Sequence, residues 1–298
     1  MQHIKYSIII PHYNTPNLLL RCLESIPERK DIQVIVVDDN SPNAEKYEVL
    51  YPQLYRKNVE IHLTKEGRGA GYARNVGLKY AIGKWLLFAD SDDFYAKNFI
   101  ELLDDYYTSD ADIVYFNVES VMSDDITKLA GRNESKNKLF SFYQHTKDVT
   151  LFRYEYPEPW GKLIKLDLIK GNNIKFDETR VANDYYFSVV SGCLAHKITV
   201  VNKPLYVVTL RENSLSFKYG DTLSKLLTRL EVTTRVQIFT KEHGYDINPM
   251  PIRGLMVLLL KKNPFIFFKQ ILVLWKKRIS IPELLCQIFN PKYITFGK

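Results

Sequence analysis

Cysteine is scarce in this sequence, and its spacing argues against two common ways of stabilising a small domain. Only three cysteines, Cys22, Cys193 and Cys286, occur among 298 residues, and none belongs to a Cys-x-x-Cys pair. An odd number of distant cysteines excludes a disulfide framework and a structural zinc site of the usual spacing. We therefore expect reduced, buried thiols in a cytoplasmic protein.

Long apolar runs are also missing. The apolar runs of the C-terminal part, 254–260, 265–268 and 271–275, are far shorter than the roughly 20 residues of a membrane-spanning helix. The first residues lead directly into an apolar strand, so we expect no signal peptide. The six histidines never occur at metal-ligand spacing, and no serine or cysteine motif indicates nucleophilic catalysis.

Acidic residues are rare only near the C-terminus. Residues 241–298 carry ten lysines and arginines against three acids, which accounts for the net charge of +7. Lys262, Lys269 and Lys276 recur every seven residues and share one predicted helical face with bulky apolar neighbours. This pattern favours a helix that lies in an anionic membrane surface through residues 250–298. The alternative is a helical subdomain packed on the rest of the chain. No recognised module predicts nucleic-acid binding.

Strands and helices alternate through the first part of the chain. The predicted strands, separated by turns and helices, are 6–11, 32–39, 59–63 and 85–89. This alternation predicts a Rossmann-like, doubly wound, mostly parallel sheet with helices on both faces. The carboxyl ends of parallel strands meet at one edge of such a sheet, where ligands bind.

Two of these strands end in clusters of aspartates. Asp38 and Asp39 end the second strand, and Asp90, Asp92 and Asp93 follow the fourth. Like charges about 4 Å apart repel by about 4 kcal/mol at an effective dielectric of about 20, so such clusters need solvent, caps or a cation. Aspartate oxygens suit a hard divalent ion that also binds phosphates. The alternatives are a helix cap made by the second cluster and an Asx turn made by Asp39.

Four ordered segments carry a family resemblance. They are Ser-Ile-Ile-Ile-Pro-His-Tyr-Asn at 7–14, Val-Asp-Asp-Asn-Ser at 37–41, Gly-Ala-Gly-Tyr-Ala-Arg-Asn-Val-Gly at 69–77 and Phe-Ala-Asp-Ser-Asp-Asp at 88–93. In this order they resemble the nucleotide-sugar motifs of family 2 glycosyltransferases, which have the GT-A fold. An NAD-binding reading of the glycine-rich turn is rejected, because Arg74 stands where that fingerprint has its third glycine.

The resemblance implies a domain organisation. Residues 1–220 are expected to form a GT-A catalytic domain, with a nucleotide-sugar half at about 1–120 and an acceptor half at about 121–220. Residues 221–298 are expected to form a helical, basic extension. The stretch 120–147 is polar, charged and poorly periodic, and is interpreted as an insertion or a loop facing the acceptor.

For the donor site, the resemblance implies a UDP-hexose or UDP-N-acetylhexosamine bound together with Mg²⁺ or Mn²⁺. Asp92 is the expected metal ligand, with Asp90 on the metal or the ribose, and Arg74 is expected to bind the diphosphate or Asp90. The other expected donor-site residues are Pro11 and Tyr13 around the base, Asp39 on the uracil imide, Asp38 supporting its loop, and Ser91 within the Asp-x-Asp element. The alternatives are a purely structural ion pair for Arg74 and an edge aromatic for Tyr13.

For the acceptor side, the resemblance implies that Asp184 is the catalytic base. Family members usually carry an acidic residue where this chain has Asn183. Because Asn183 is neutral, we expect the pKa of Asp184 to lack the increase that a neighbouring negative charge would cause. A helix N-terminal charge is the alternative role for Asp184. Trp160 is either a platform for a sugar ring or a buried core residue. Arg211 and Ser214 resemble the family's late loop over the diphosphate.

The expected function is inverting transfer of a sugar to a saccharide acceptor, free or lipid-linked, in cell-surface polysaccharide synthesis. The expected location is the cytoplasm, peripheral at the inner face of the cell membrane. Two rivals are a sugar-phosphate nucleotidyltransferase and an inactive nucleotide-sugar or carbohydrate-binding protein. The first normally needs an early glycine-rich, basic loop, and residues 12–17 contain no glycine, lysine or arginine.

Overall fold

The computed structural model describes residues 3–211, 222–245, 250–277 and 279–280. The chain divides into two compact units, residues 1–217 and residues 218–298.

An eight-stranded sheet forms the first unit, in the order β3-β2-β1-β4-β7-β6-β8-β5. Its strands are β1 (Tyr6–His12), β2 (Ile32–Asp39), β3 (Val59–Thr64), β4 (Trp85–Phe88), β5 (Phe94–Tyr95), β6 (Ile113–Met122), β7 (Lys162–Lys165) and β8 (Ile198–Leu210). β1 pairs in parallel with β2 and β4, and β2 pairs in parallel with β3. The predicted parallel arrangement of the first four strands is therefore confirmed, and their carboxyl ends share one edge.

The second half of the sheet is mixed. β7 lies antiparallel between β4 and β6, whereas β6 pairs in parallel with β8. The helices of this unit are α1 (Pro16–Glu24), α2 (Tyr47–Leu50), α3 (Ala70–Tyr80), α4 (Phe99–Tyr106), α5 (Glu134–Thr146), α6 (Leu166–Gly171) and α7 (Tyr185–Leu194).

β1 runs one residue beyond the proline at which we expected it to stop. Ile9 accepts a hydrogen bond from Ala89 on the β4 side, and Pro11 faces that side too because it lies two residues further on. Pairing with β4 ends at the match of Ile9 with Phe88, while pairing with β2 continues to His12. The missing N–H of Pro11 therefore costs no ladder bond.

The predicted loop at 120–147 is wrong for much of its length. β6 continues to Met122, and helix α5 occupies residues 134–146. The buried side chains of α5 are Lys136, Leu139 and Phe140. They follow helical spacing, but a lysine stands at one of the inward positions and hides the apolar pattern.

Three helices form the described part of the second unit: α8 (Leu223–Glu242), α9 (Met250–Lys262) and α10 (Pro264–Lys276). Their shared core consists of Leu226, Leu230, Ile252, Met256, Leu259, Phe267 and Leu274. Asn263 begins α10 by accepting a hydrogen bond from the amide of Ile266 at 3.0 Å, which is the usual role of an N-cap asparagine. Within the described ranges, no helix is long and apolar enough to cross a membrane.

Candidate active site

Asp38 organises the turn that follows β2. Its Oδ2 accepts hydrogen bonds from His12 Nδ1 and Ser41 Oγ, both at 2.7 Å, and its Oδ1 accepts from the Ser41 amide at 2.7 Å. Because the Thr15 amide donates to His12 Nε2 at 3.1 Å, we assign the proton of His12 to Nδ1. Burial raises the pKa of Asp38, but the bonds from His12 and Ser41 outweigh it and hold the pKa below the usual value. These bonds tie Asp38 to Ser41 in the turn after β2 and to His12 at the end of β1.

Asp39 ties the end of β2 to the glycine-rich turn before α3. Its carboxylate accepts from the amides of Arg68 (3.1 Å) and Gly69 (2.5 Å) and from Thr64 Oγ1 (3.3 Å). The predicted Asx-type bond to Ser41 is made by Asp38 instead. A carboxylate offers about four accepting positions, and these bonds use three of them. Its role toward uracil stays a prediction.

Arg74 joins three chain segments at this edge. The guanidinium is 4% exposed; Nη2 donates to Asp90 Oδ1 at 2.5 Å and Nη1 donates to Asn183 Oδ1 at 2.9 Å. The expected bond between Arg74 and Asp90 is thus present. Gly71, one turn earlier in α3, allows the helix to lie close to the segment that contains Asp177. A Cβ at position 71 would lie 2.0 Å from the carbonyl oxygen of Asp177.

The aspartates after β4 separate into one buried acid and two partly exposed ones. Asp93 is 4% exposed and accepts from the Thr209 amide at 2.7 Å and from Tyr206 Oη at 3.1 Å. Burial, together with the charges of Asp92 and Asp90, raises the pKa of Asp93 well above its usual value. The sequence alone indicated no role for Asp93. The residue anchors the loop to β8, and Asp90 and Asp92 remain the partly exposed acids of this loop.

Asp92 has an arginine partner. Arg211 Nη2 donates to Asp92 Oδ2 at 2.6 Å, and the two side chains are 36% and 30% exposed. The backbone carbonyl of Asp92 accepts from Arg21 Nη2 at 2.5 Å and from Thr209 Oγ1 at 2.8 Å. The loop that carries Ser91 is therefore fixed at both ends. Ser214 lies outside the described residues.

These residues fit a cation that is shared with a substrate. Among the described residues, no group of three or more His, Cys, Asp or Glu side chains lies close enough to hold a metal ion. Asp90 and Asp92 supply two hard oxygen donors, and Mg²⁺ commonly combines one or two carboxylates with substrate phosphates and water. The donor set thus suits a metal bound with a diphosphate and not a closed, all-protein site.

Asp184 lies at the N-terminus of α7. It takes the N-cap position, but its side chain makes no capping hydrogen bond. Burial raises the pKa of Asp184, the charge of Arg74 lowers it and the charge of Asp90 raises it again, with a net increase. We expected the pKa of Asp184 to rise less because Asn183 is neutral. That expectation left out burial, which raises this pKa more than any neighbouring charge does.

The aromatic residues of the site differ in exposure. Tyr13 is 59% exposed, whereas Trp160 is 8% exposed and stacks on Tyr206 with ring centroids 5.5 Å apart. Tyr206 Oη accepts a hydrogen bond from the Asp90 amide at 2.8 Å. Trp160 therefore packs behind residues 90–93, which we call the aspartate loop. This packing fits the core alternative for Trp160. Its role as a sugar platform stays a prediction.

A buried lysine on β7, Lys162, was not predicted from the sequence. Lys162 is 2% exposed, and its Nζ donates to the carbonyl of Tyr156 at 2.7 Å. Burial lowers the pKa of Lys162 to about 7, with Glu158 opposing and Lys136 reinforcing the shift. The sequence signal for a buried lysine was its position in a short strand, between Trp-Gly and Leu-Ile.

The edge formed by the parallel strands β1 to β4 carries two partly exposed aspartates, an arginine and a half-buried acid, and this edge is where α/β proteins with open sheets bind their ligands. Residues 7–162, about half of the chain, match glycosyl transferase family 2. The chain belongs to this family.

Two curated relatives and one solved structure illustrate the similarity. The chain is 30% identical to glycosyltransferase GlyA of Streptococcus pneumoniae over 232 residues, which cover 71% of this chain and 31% of GlyA. It is 32% identical to a poly(ribitol-phosphate) beta-glucosyltransferase of Bacillus spizizenii over 208 residues, which cover 66% of this chain and 31% of that protein. The chain therefore spans about a third of the length of these relatives.

The crystal structure of Staphylococcus aureus TarS residues 1–349 in complex with UDP-GlcNAc superposes with a TM-score of 0.61. Sequence identity is 22%, and the match covers 88% of this chain and 75% of TarS 1–349. At this identity the likeness shows the fold. The predicted GT-A fold is therefore confirmed.

Proposed function

We propose that the protein is an inverting glycosyltransferase that moves a sugar from a nucleotide-sugar donor to a saccharide hydroxyl. The observation that carries the proposal is the link through Arg74, which hydrogen-bonds both Asp90 after β4 and Asn183, the residue before Asp184. A donor-site acid and a candidate base thus lie at the same edge of the sheet. This arrangement supports a transferase over a nucleotidyltransferase, and turnover distinguishes it from an inactive binding protein.

The donor in this proposal is a UDP-hexose or UDP-N-acetylhexosamine. Asp39 keeps an accepting position for the uracil imide, and the exposed ring of Tyr13 is available to stack on the base. Pro11, which is buried, would form the pocket wall. The complex of TarS with UDP-GlcNAc supports a UDP-sugar as the first donor to test.

Asp184 is the proposed general base. It takes the proton of the acceptor hydroxyl, whose oxygen attacks the anomeric carbon from the face opposite the diphosphate, so the configuration inverts. A carboxylate with a raised pKa is a better base near neutral pH than an ordinary aspartate. The raised pKa of Asp184 therefore supports this role.

Departure of the diphosphate needs positive charge. Asp92 and Asp90 would hold Mg²⁺ or Mn²⁺, which neutralises charge on the leaving group when bound. Arg74 already pairs with Asp90, and Arg211 with Asp92. Both guanidinium groups are therefore close enough to these acids to contribute hydrogen bonds to the same diphosphate.

The proposed acceptor is a saccharide, free or lipid-linked, in the synthesis of a cell-surface polymer. The beta-glucosyltransferase of poly(ribitol-phosphate) among the relatives supports a polymer acceptor. Residues 1–220 would form the catalytic domain, with a donor half at about 1–120 and an acceptor half at about 121–220. The helical region 221–298 would keep the enzyme peripheral at the inner face of the membrane.

Release of UDP from a panel of UDP-sugars, with and without EDTA, tests the activity. We expect release in Mn²⁺ or Mg²⁺ with a saccharide acceptor, and loss of release on chelation. Asp184→Asn should abolish turnover while donor-induced thermal stabilisation persists. Asp167→Asn, at an exposed position, is the matched control and should retain activity. Full turnover by Asp184→Asn would remove the base assignment, and absence of release with all donors would favour a binding protein.

A further inference from the structure

We propose that the outward face of α10 docks on the surface of an anionic lipid bilayer. Four large apolar side chains, which we call the apolar stripe, define this face: Phe265, Phe268, Leu272 and Trp275. Their exposed fractions are 80%, 61%, 59% and 66%. Exposed aromatic and aliphatic side chains in a contiguous group are typical of an interaction surface.

Helical spacing places the stripe on a single face. Its members are separated by three, four and three residues, so they fall within an arc of about 80° at 100° per residue. On the other side of the same helix, Phe267 and Leu274 are each 1% exposed and belong to the core of the helical unit. The helix therefore has two apolar faces, and packing within the unit uses one of them. The outward face would be polar if water were its only partner.

The charge beside the stripe indicates what the partner carries. Residues 250–277 contain six lysines and arginines and no acid. Lys269 and Lys276 are exposed and lie within about 40° of Phe265 around the helix. Long lysine stems can follow an apolar surface while the ammonium stays in water. A partner for this face must therefore be apolar and negatively charged.

An anionic bilayer meets both requirements. Phe265, Phe268 and Leu272 would enter the boundary between headgroups and acyl chains, and Trp275 would lie at headgroup level, where its ring and N–H are both satisfied. A second copy of the chain is less suitable, because pairing two stripes would bring Lys269 and Lys276 of both copies together without an acid on this face. The docking does not depend on the proposed transferase activity.

Flotation of the full chain with vesicles tests the proposal. We expect binding to phosphatidylcholine vesicles that contain phosphatidylglycerol, and little binding to phosphatidylcholine alone. Binding should weaken as salt is raised. The double variant Phe268→Ser/Leu272→Ser should bind about tenfold or more weakly. Ile82→Ser, which alters a residue that is 65% exposed in the first unit, is the matched control and should bind normally.

Two further measurements test the contribution of the lysines and that of the apolar stripe separately. Lys269→Glu/Lys276→Glu should lose the preference for phosphatidylglycerol, whereas Lys57→Glu, at another exposed lysine, should keep it. Trp275 fluorescence should shift to the blue on binding, because Trp85 and Trp160 are already buried. Equal binding by the stripe variant, or no binding to either vesicle, would overturn the proposal. A dimer that the stripe variant dissociates, without vesicle binding, would also overturn it in favour of a second copy.

Discussion

Arg211 donates a hydrogen bond to Asp92, the residue predicted to bind metal, at an Nη2 to Oδ2 distance of 2.6 Å. The same carboxylate oxygen cannot be fully engaged by the arginine and by a divalent ion. Binding of a cation at Asp92 would therefore compete with this ion pair and make Arg211 available to the diphosphate.

The first prediction follows from this competition. Arg211→Gln should bind Mn²⁺ more tightly than the wild type without nucleotide, and should lower kcat/KM about 10- to 100-fold because a diphosphate contact is lost. Titration calorimetry and UDP-release kinetics measure the two effects. Arg132→Gln is the control, since Arg132 donates a hydrogen bond to the carbonyl oxygen of Thr209, two residues before Arg211. Weaker Mn²⁺ binding by Arg211→Gln would mean that the arginine supports metal binding at Asp92 and does not oppose it.

A second prediction concerns Arg74, whose guanidinium group hydrogen-bonds both Asp90 and Asn183. Arg74→Lys should not restore both bonds, because an ammonium lacks the fork geometry. We expect a loss of about 1–3 kcal/mol in the free energy of unfolding, less than for a fully buried pair because Asp90 is partly exposed. Urea denaturation measures it. The exposed pair of Lys128 with Asp125 is the comparison, and Lys128→Ala should cost less than about 1 kcal/mol.

The pH profile of Asp184 gives a third prediction. A general base must be ionised, so kcat should fall as pH falls through the raised pKa of Asp184. Asp90→Asn removes a charge that raises this pKa, so the acidic limb should move to lower pH. Arg74→Gln removes a charge that lowers it, so the limb should move to higher pH. Residual activities will be small, but the limb positions remain measurable. If the acidic limb of the kcat–pH profile stays in place in both variants, another group controls the profile.

Lys162 supplies a fourth prediction. Its pKa in the folded protein is lowered from 10.5 to about 7 by burial, so the unfolded chain binds more protons between these values. Stability from this group should therefore rise as pH increases from about 7 to about 10.5, by up to a few kcal/mol. Lys162→Met should lack that rise. Urea midpoints at several pH values test it, and identical pH dependence in both proteins would contradict the assignment.

Gly71 and Gly171 form a matched pair for the fifth prediction. A Cβ on Gly71 would lie 2.0 Å from the carbonyl oxygen of Asp177, whereas nothing lies within 4 Å of one on Gly171. Gly71→Ala should destabilise the protein by about 1–3 kcal/mol, because α3 or the segment at Asp177 must shift. Gly171→Ala should be neutral or slightly stabilising. Thermal unfolding compares them, and equal melting temperatures would contradict the close approach.

Much of the sheet edge was predictable because its signals are local. An apolar run that ends in acids identifies a strand and its carboxyl end, as for β2 with Asp38 and Asp39. Helix α5 was not predictable in the same way, because Lys136 occupies an inward position and pairs with Glu158 at 2.7 Å. In a sequence, a buried lysine that pairs with a partly exposed glutamate cannot be told from a lysine on the surface.

Within the site, the order of the motifs was enough to bring Arg74 to Asp90, since parallel strands end at the same edge. Spacing along the chain carries no information on which of three neighbouring aspartates is buried. That division depends on Thr209 and Tyr206, more than 100 residues away in the chain, which hydrogen-bond Asp93. The amino-acid order thus specified the first four strands, their parallel direction and the acids at the ends of β2 and β4. Only the packing of β8 against residues 90–93 decided which of the three carboxylates is buried, because desolvation and hydrogen bonding depend on neighbours in space.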